Sequence, residues 1–469
     1  MVKIYNTETR IKEEVTLRDG EDLLKIYTCG PTIYHYAHIG NFRTYVFEDL
    51  LRRTLKYFGF KIQQVMNLTD VEDKTILAAQ QKGISLQEHT EIYKKAFFED
   101  LEKLSIEPVE IYSPATEYIP EMISMIEKLI ENGHAYVAKD QGVYFRISSF
   151  PSYGRLSHLK LETLQEGASL RVLEDEYEKE SASDFVLWKP YDAKRDGEVF
   201  WDSPFGKGRP GWHIECSAMA NALLGESIDF HVGGVDNIFP HHENEIAQSE
   251  GCHGGRFVRH WIHAEHLIVD GKKMSKKLGN FYTLRDLLDQ GYRGHEVRYL
   301  LLSTHYRTQL NFTFEGLEAA RQTLNRWGDF IRRLRKARAP SGISLQKYKE
   351  QSEKAFQEAL ADDLNISLAL AALFDVVKPI NRLIDENQVT ESEAKSFLAY
   401  LEELDRVLSL LPLEEKEMRI PSAVQEALKK REAARKEKNW KEADLQRDYI
   451  HSQGFIIEDG EEGSFLKPK

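Results

Sequence analysis

Three cysteines in 469 residues cannot build a disulfide framework, and none stands in a Cys-x-x-Cys pair. Cys29, Cys216 and Cys252 are therefore expected to stay reduced, as small core residues or as metal ligands. No apolar run approaches the roughly 20 residues that span a bilayer. The opening stretch, Met1 to Arg10, has no apolar signal segment, so a cytoplasmic protein with no membrane partner is expected. Basic residues are not in excess: 63 Lys and Arg stand against 76 Asp and Glu, a net charge of −13. That excludes a non-specific nucleic-acid coat and argues against a DNA partner, while a specific RNA met by local basic patches is still permitted. No low-complexity tract or fixed-period repeat is present, which removes solenoids and fibres. A composition 41% hydrophobic and 30% charged is that of an ordinary globular protein. The length exceeds one core, so two to four domains are expected.

The front of the chain alternates strand and helix. Leu24 to Cys29 reads as a strand ended by Gly30-Pro31-Thr32, Phe42 to Phe58 as an amphipathic helix, Lys61 to Leu68 as a second strand and Ser85 to Leu104 as a second helix. A strand, glycine turn, helix and strand make a βαβ unit, and hence a parallel, doubly wound sheet. From about 113 to 203 the pattern changes to a helix (119–132), short strands at 135–137 and 143–145, and a polar run, Glu174 to Glu180. This segment reads as an insertion. Ile228 to Val232 resumes the sheet, with Gly233-Gly234 at the carboxyl end where such sheets bind ligands. Beyond Phe314 the chain turns helical, at Leu317–Arg338, Ser367–Asn387 and a locally basic stretch Pro421–His451, and closes on a hairpin over 455–467.

Two short runs carry phosphate chemistry. In Ala37-His38-Ile39-Gly40-Asn41 a glycine opens a helix, giving close backbone approach and a helix N-terminus, with His38 and Asn41 as donors to phosphate oxygen. In Lys272-Lys273-Met274-Ser275-Lys276-Lys277, flanked by Gly271 and Gly279, Lys273 and Lys276 sit on a flexible basic loop able to fold over a triphosphate. A separate set carries metal chemistry. Cys29 ends a strand, Cys216 lies in Gly211-Trp212-His213-Ile214-Glu215-Cys216, and His241-His242-Glu243-Asn244-Glu245 follows. Either histidine reaches Glu245 along a helix face, at four or three residues, so spacing does not choose between them. Two thiolates, an imidazole and a carboxylate suit zinc; two buried cysteines beside a polar helix face are the alternative reading.

The two phosphate runs, in this order on an α/β pattern, resemble the HIGH and KMSKS signatures of class I aminoacyl-tRNA synthetases, with Asn41 in place of the last His and Lys277 in place of the last Ser. Cys29 to Thr32, Gly208 to Met219 and Phe239 to Ser249 resemble the signature blocks of the cysteinyl-tRNA synthetase family, so the match runs along essentially the whole chain. The resemblance implies one zinc held by Cys29, Cys216, His241 and Glu245, with His242 a neighbour, and the substrate thiol bound to that metal. It also implies ATP with magnesium at His38, Gly40, Asn41 and Lys276, and L-cysteine beside Gly30, Thr69 and Trp212. His231 and Asp236, beside Gly233-Gly234, could contact adenosine or the amino group; a buried histidine satisfied by its neighbours is the alternative reading of His231. A thiol-reading site discriminates well enough to dispense with editing, so the insertion is not expected to hydrolyse Ser-tRNA.

The implied organisation is an α/β, Rossmann-type parallel-sheet catalytic domain in two halves (1–112 and 204–255) around a connective insertion (113–203). A stem-contact region with the lysine loop (256–315), a helical bundle (316–412) and a small C-terminal anticodon-binding domain (413–469) follow. The partner implied for the last two is tRNA(Cys), with Arg435 and Trp440 in a run mixing cations with one aromatic ring. The rival readings are a cysteine ligase to a small amine, as in mycothiol synthesis, and a non-catalytic tRNA-binding paralogue. The long helical rear argues against the first, and the ATP-loop lysines against the second.

Overall fold

The computed structural model describes residues 1–159, 184–413, 421–460 and 463–468; the polar run 174–180 lies outside them. Two compact units are present, Met1–Leu411 and Pro412–Lys469.

The first unit is organised by five parallel strands: β1 (Leu24–Thr28), β2 (Ile62–Leu68), β3 (Ile111–Pro114), β4 (Ile228–Gly234) and β5 (Val258–Ala264). Their spatial order is β5-β4-β1-β2-β3, so the chain winds outward in one direction from β1 and later in the other from β4. Crevices for ligands open at the carboxyl ends of such strands, where the winding reverses. The connections carry α1 (Ile39–Tyr57), α2 (Asp73–Lys82), α3 (Leu86–Lys103), α4 (Ile119–Glu131), α5 (Trp212–Leu224) and α6 (Glu243–His253). α1 begins at Ile39, before the expected Phe42. His38 is its N-cap: the His38 ring accepts from the Asn41 amide while the Asn41 side chain accepts from the His38 N–H.

β5 lies beyond the 255 limit expected for the catalytic sheet. Its sequence, Val-Arg-His-Trp-Ile-His-Ala, has histidines where a buried strand usually has aliphatics, and His263 among them is spent on the site below. Between β3 and β4 the inserted segment builds a four-stranded antiparallel sheet from Ala135–Val137, Val143–Phe145, Phe185–Pro190 and Gly208–Pro210. The last strand pairs with Phe185–Pro190, so the insertion runs past the expected 203. Phe145, Leu187 and Trp188 of the insertion share one buried core with Tyr27, Val65 and Trp261 of the central sheet, as does Cys252.

The helical rear of this unit comprises α7 (Phe314–Lys336), α8 (Gln346–Ala361), α9 (Ile366–Asp385) and α10 (Glu391–Leu408). α8 and α10 add two helices to those that the periodicity marks in this stretch. Arg298 ties the bundle to α1: its guanidinium is buried, 2.5 Å from Asp49 on α1, and donates to the carbonyls of Leu104 and Leu408.

The second unit holds α11 (Ser422–Lys436), α12 (Trp440–Ser452) and an antiparallel hairpin, Phe455–Gly460 with Gly463–Pro468. The single helical stretch expected over 421–451 is thus two helices. Lys438 takes a left-handed φ of 61°, which ends the first of them. Asn439 then caps the second, its side chain accepting from the Glu442 amide.

Candidate active site and metal centre

Cys29 follows β1, and β4 pairs beside it with Val232 opposite Thr28. Cys216 lies on α5, and the chain after β4 turns into α6 carrying His241 to Glu245. The ligand atoms of Cys29, Cys216, His241 and Glu245 all lie within 4.8 Å of one another. A second combination, Cys29, His231, His242 and Glu245, meets the same limit. Hydrogen bonds separate the two. His231 Nε2 is 2.8 Å from Glu245 Oε2, and His242 Nε2 is 3.3 Å from Cys29 Sγ, so both rings contact atoms of the first set. Glu245 Oε1 is buried with no hydrogen-bond partner among the described residues, 3.1 Å from His241 Nε2. An orphaned carboxylate oxygen facing an imidazole and two sulfurs is a donor set that fits a cation.

Electrostatics point the same way. Burial raises the Glu245 carboxyl well above its ordinary range. The adjoining Cys216 and burial raise the Cys29 thiol; contact with Cys29 lowers Cys216, but burial and the charge of Glu245 together carry it above its ordinary value. Burial also drives His241 well below its usual value. The pocket therefore disfavours charge on every donor, and a divalent ion would reverse that preference by deprotonating the thiols.

Histidines missed as a group support these donors. His213 Nδ1 lies 2.8 Å from His241 Nδ1, leaving Nε2 turned to the cluster. His242 Nδ1 lies 2.8 Å from His263 Nε2, and His263 Nδ1 lies 2.7 Å from Thr7 Oγ1. A chain of contacts thus runs from the turn after the N-terminal strand Lys3–Asn6 to Cys29. For His231 and His263 the signal in the sequence was histidine in otherwise apolar strands; His213, on α5, carried no such signal.

The residues expected around a small substrate converge on the same place. A Cβ on Gly30 would stand 1.8 Å from the Asn67 carbonyl oxygen, so only glycine lets the turn pack there. The Gly30 amide donates to Asn67 Oδ1 at 2.7 Å, and Asn67 Nδ2 donates to Thr69 Oγ1 at 3.1 Å. Trp212 stacks on the His241 ring with centroids 4.3 Å apart and remains 39% exposed, which makes it a wall of the site rather than core. Asp236 follows β4 and acts on His38 through its charge; His231 is bound to Glu245 instead of facing outward.

The two phosphate runs meet. Met274 Cε would lie 3.2 Å from a Cβ on Gly40, Ile39 N–H donates to the Tyr282 carbonyl, and His38 contacts Phe281 edge-on. Lys276 Nζ stands 5.1 Å from the centre of that Phe281 ring, while the Lys273 and Lys276 side chains stay exposed. Because His38 Nδ1 accepts from the Asn41 amide, the ring hydrogen resides on Nε2. Burial lowers the His38 pKa to about 4, with Asp236 opposing, so the ring is a neutral donor at pH 7. In the second unit Arg435 and Trp440 are exposed, Trp440 at 60%.

No helix among the described residues is long and apolar enough to cross a membrane. The chain matches the family described as tRNA synthetases class I (C) catalytic domain over residues 16–322, and the DALR domain over 355–412. A protein of Protochlamydia amoebophila named Cysteine--tRNA ligase is 58% identical over 467 residues, covering 99% of this chain and 98% of the relative. One of the same name from Chlamydia muridarum is 56% identical, covering 99% of each. In fold, the chain resembles Mycobacterium tuberculosis methionyl-tRNA synthetase in complex with methionyl-adenylate, with a TM-score of 0.61, 14% identity and coverage of 82% of this chain and 90% of that one.

Proposed function

We propose residue roles for a chain that belongs to the cysteine–tRNA ligase family of class I tRNA synthetases. It is a ligase: it joins L-cysteine to ATP as cysteinyl-adenylate, releasing pyrophosphate, and passes the cysteinyl group to the 3′ end of tRNA(Cys). The observation that carries the residue-level reading is the clustering of two thiols, an imidazole and an orphaned carboxylate beside the meeting point of the two phosphate runs.

Cys29, Cys216, His241 and Glu245 would hold one zinc ion. Two sulfurs suit a borderline-soft ion better than the single sulfur of the second combination, whose histidines are engaged in supporting bonds. Bound there, the zinc supplies an acid soft enough to take the substrate thiol as thiolate, an option that serine's harder hydroxyl lacks. Thr69 and Gly30 shape the floor of the cysteine pocket and Trp212 its wall. The substrate carboxylate attacks the α-phosphorus, so no side-chain nucleophile is required. His38 Nε2–H, the Asn41 amide group, the backbone at Gly40 and the Lys273 and Lys276 ammoniums would neutralise the charge that builds on the phosphates, with magnesium accompanying ATP. The cytoplasm is the proposed location. Residues 413–469 are proposed to read the anticodon, with Arg435 on phosphate and Trp440 stacked on a base.

Cysteine-dependent ATP–pyrophosphate exchange tests the reading directly. Exchange is expected with cysteine and to be at least about 10⁴-fold weaker in kcat/KM with serine; comparable exchange with both would remove the thiol-reading metal. Removing the support of Glu245 by His231→Ala is expected to weaken zinc retention by about 10- to 100-fold in a chelator competition. Unchanged retention would assign His231 to packing alone.

A further inference from the structure

We propose that a cavity in the helical bundle binds one nucleotide of the tRNA, its phosphate to three cations and its base to the Phe374 ring; this rests on the tRNA-ligase reading above. The cavity, about 560 Å³, opens between α7 and α9. That volume suits a nucleotide-sized ligand. It lies at the seam between the two matched family segments: Arg326 and Trp327 follow the end of one at 322, and the other lining residues belong to the 355–412 segment.

The lining combines the two features that recognise a nucleotide. Arg326, Lys378 and Arg382 bring positive charge, and all three side chains are exposed at the rim. Phe374, half-buried, forms the inner wall and is backed by the buried Trp327, with ring centroids 5.3 Å apart. The one carboxylate in the lining, Asp385, is already paired with Arg333, which also donates to Asn381 at 2.7 Å. No carboxylate pairs with Arg326 or Lys378 among the described residues; Arg326 donates to the Thr323 hydroxyl, at 3.0 Å. Arg382 meets Glu386 in an exposed i,i+4 pair, a contact weak enough to be exchanged for phosphate. Three of the cavity's lining residues are cations and one is an acid, in a chain of net charge −13. Cations beside aromatic rings favour a phosphodiester with a stackable base over an acidic peptide, which has no use for the rings.

Three charge reversals on the full-length, zinc-loaded enzyme test it: Arg326→Glu, the pair Lys378→Glu with Arg382→Glu, and Lys354→Glu on the outer surface of α8 as a control. The KM for tRNA in aminoacylation is expected to rise about tenfold or more in the first two. The dependence of tRNA affinity on salt should become shallower by about 0.7–0.9 in log–log slope per cation removed. Exchange without tRNA should stay within twofold, which also shows that the variants are folded. Phe374→Leu should weaken tRNA binding while leaving the salt slope unchanged. Unaltered tRNA KM in both cavity variants overturns the proposal. So does an equal loss in the Lys354 control, or a loss confined to a fluorescent AMP analogue with tRNA binding intact. Failure of the wild-type enzyme to charge tRNA would instead strike the ligase reading itself.

Discussion

Cys216→Ser is expected to lower kcat/KM for cysteine in ATP–pyrophosphate exchange by at least about 10³-fold, and to strip most of the zinc from the purified protein. The substitution is nearly isosteric, so packing on α5 should survive. What is lost is a soft thiolate in a pocket that otherwise keeps every donor neutral. A pH titration separates this from a general defect. Both cysteine thiols sit above their ordinary pKa in the metal-free protein, so zinc must displace their protons, and its affinity should rise with pH. Over the range where both thiols are protonated, the gain per pH unit should be about one decade smaller in the variant than in the wild type, because one proton fewer is displaced. Full activity and zinc content in the variant would refute the ligand assignment.

The second large effect is expected at His38. His38→Ala should reduce the exchange kcat by about 10²- to 10³-fold, the usual cost of losing one preorganised donor to a transition-state oxyanion. It should also cost about 1 kcal/mol of stability, because the same ring caps α1. His38→Asn separates the two roles: it restores a good N-cap and hence the melting temperature, but not the Nε2–H donor and hence not the rate. With the ring neutral down to about pH 4, no ionisation of His38 should appear in the rate around neutrality. A titration near the ordinary histidine pKa of about 6.5 that vanishes in His38→Asn would show that the ring works as a cation instead.

Much of the sheet was legible because its strands end in visible punctuation: Gly30-Pro31 after β1 and Gly233-Gly234 at the end of β4. β5 escaped because its histidines obscure a buried strand, and the break between α11 and α12 escaped because Lys438 is no usual left-handed residue. At the site, helix spacing placed Glu245 opposite either histidine and stopped there. The family resemblance selects His241; in three dimensions the His241 ring turns Nε2 toward Glu245, whereas both nitrogens of His242 are taken up by Cys29 and His263. His213, His231 and His263 come from three separate stretches of chain, and no periodicity could bring them together.

The chain of contacts from Thr7 through His263 and His242 to Cys29 has a practical corollary. The amino-terminal hairpin, Lys3–Asn6 paired with Ile11–Glu14, looks like trim, yet its turn braces a sulfur of the candidate metal site. A bulky affinity tag or fusion partner that pulls the first strand off its seat should therefore announce itself as poor metal loading and a sluggish preparation, long before the protein loses solubility. Tagging the other end is the safer choice for anyone measuring how tightly the proposed zinc is held.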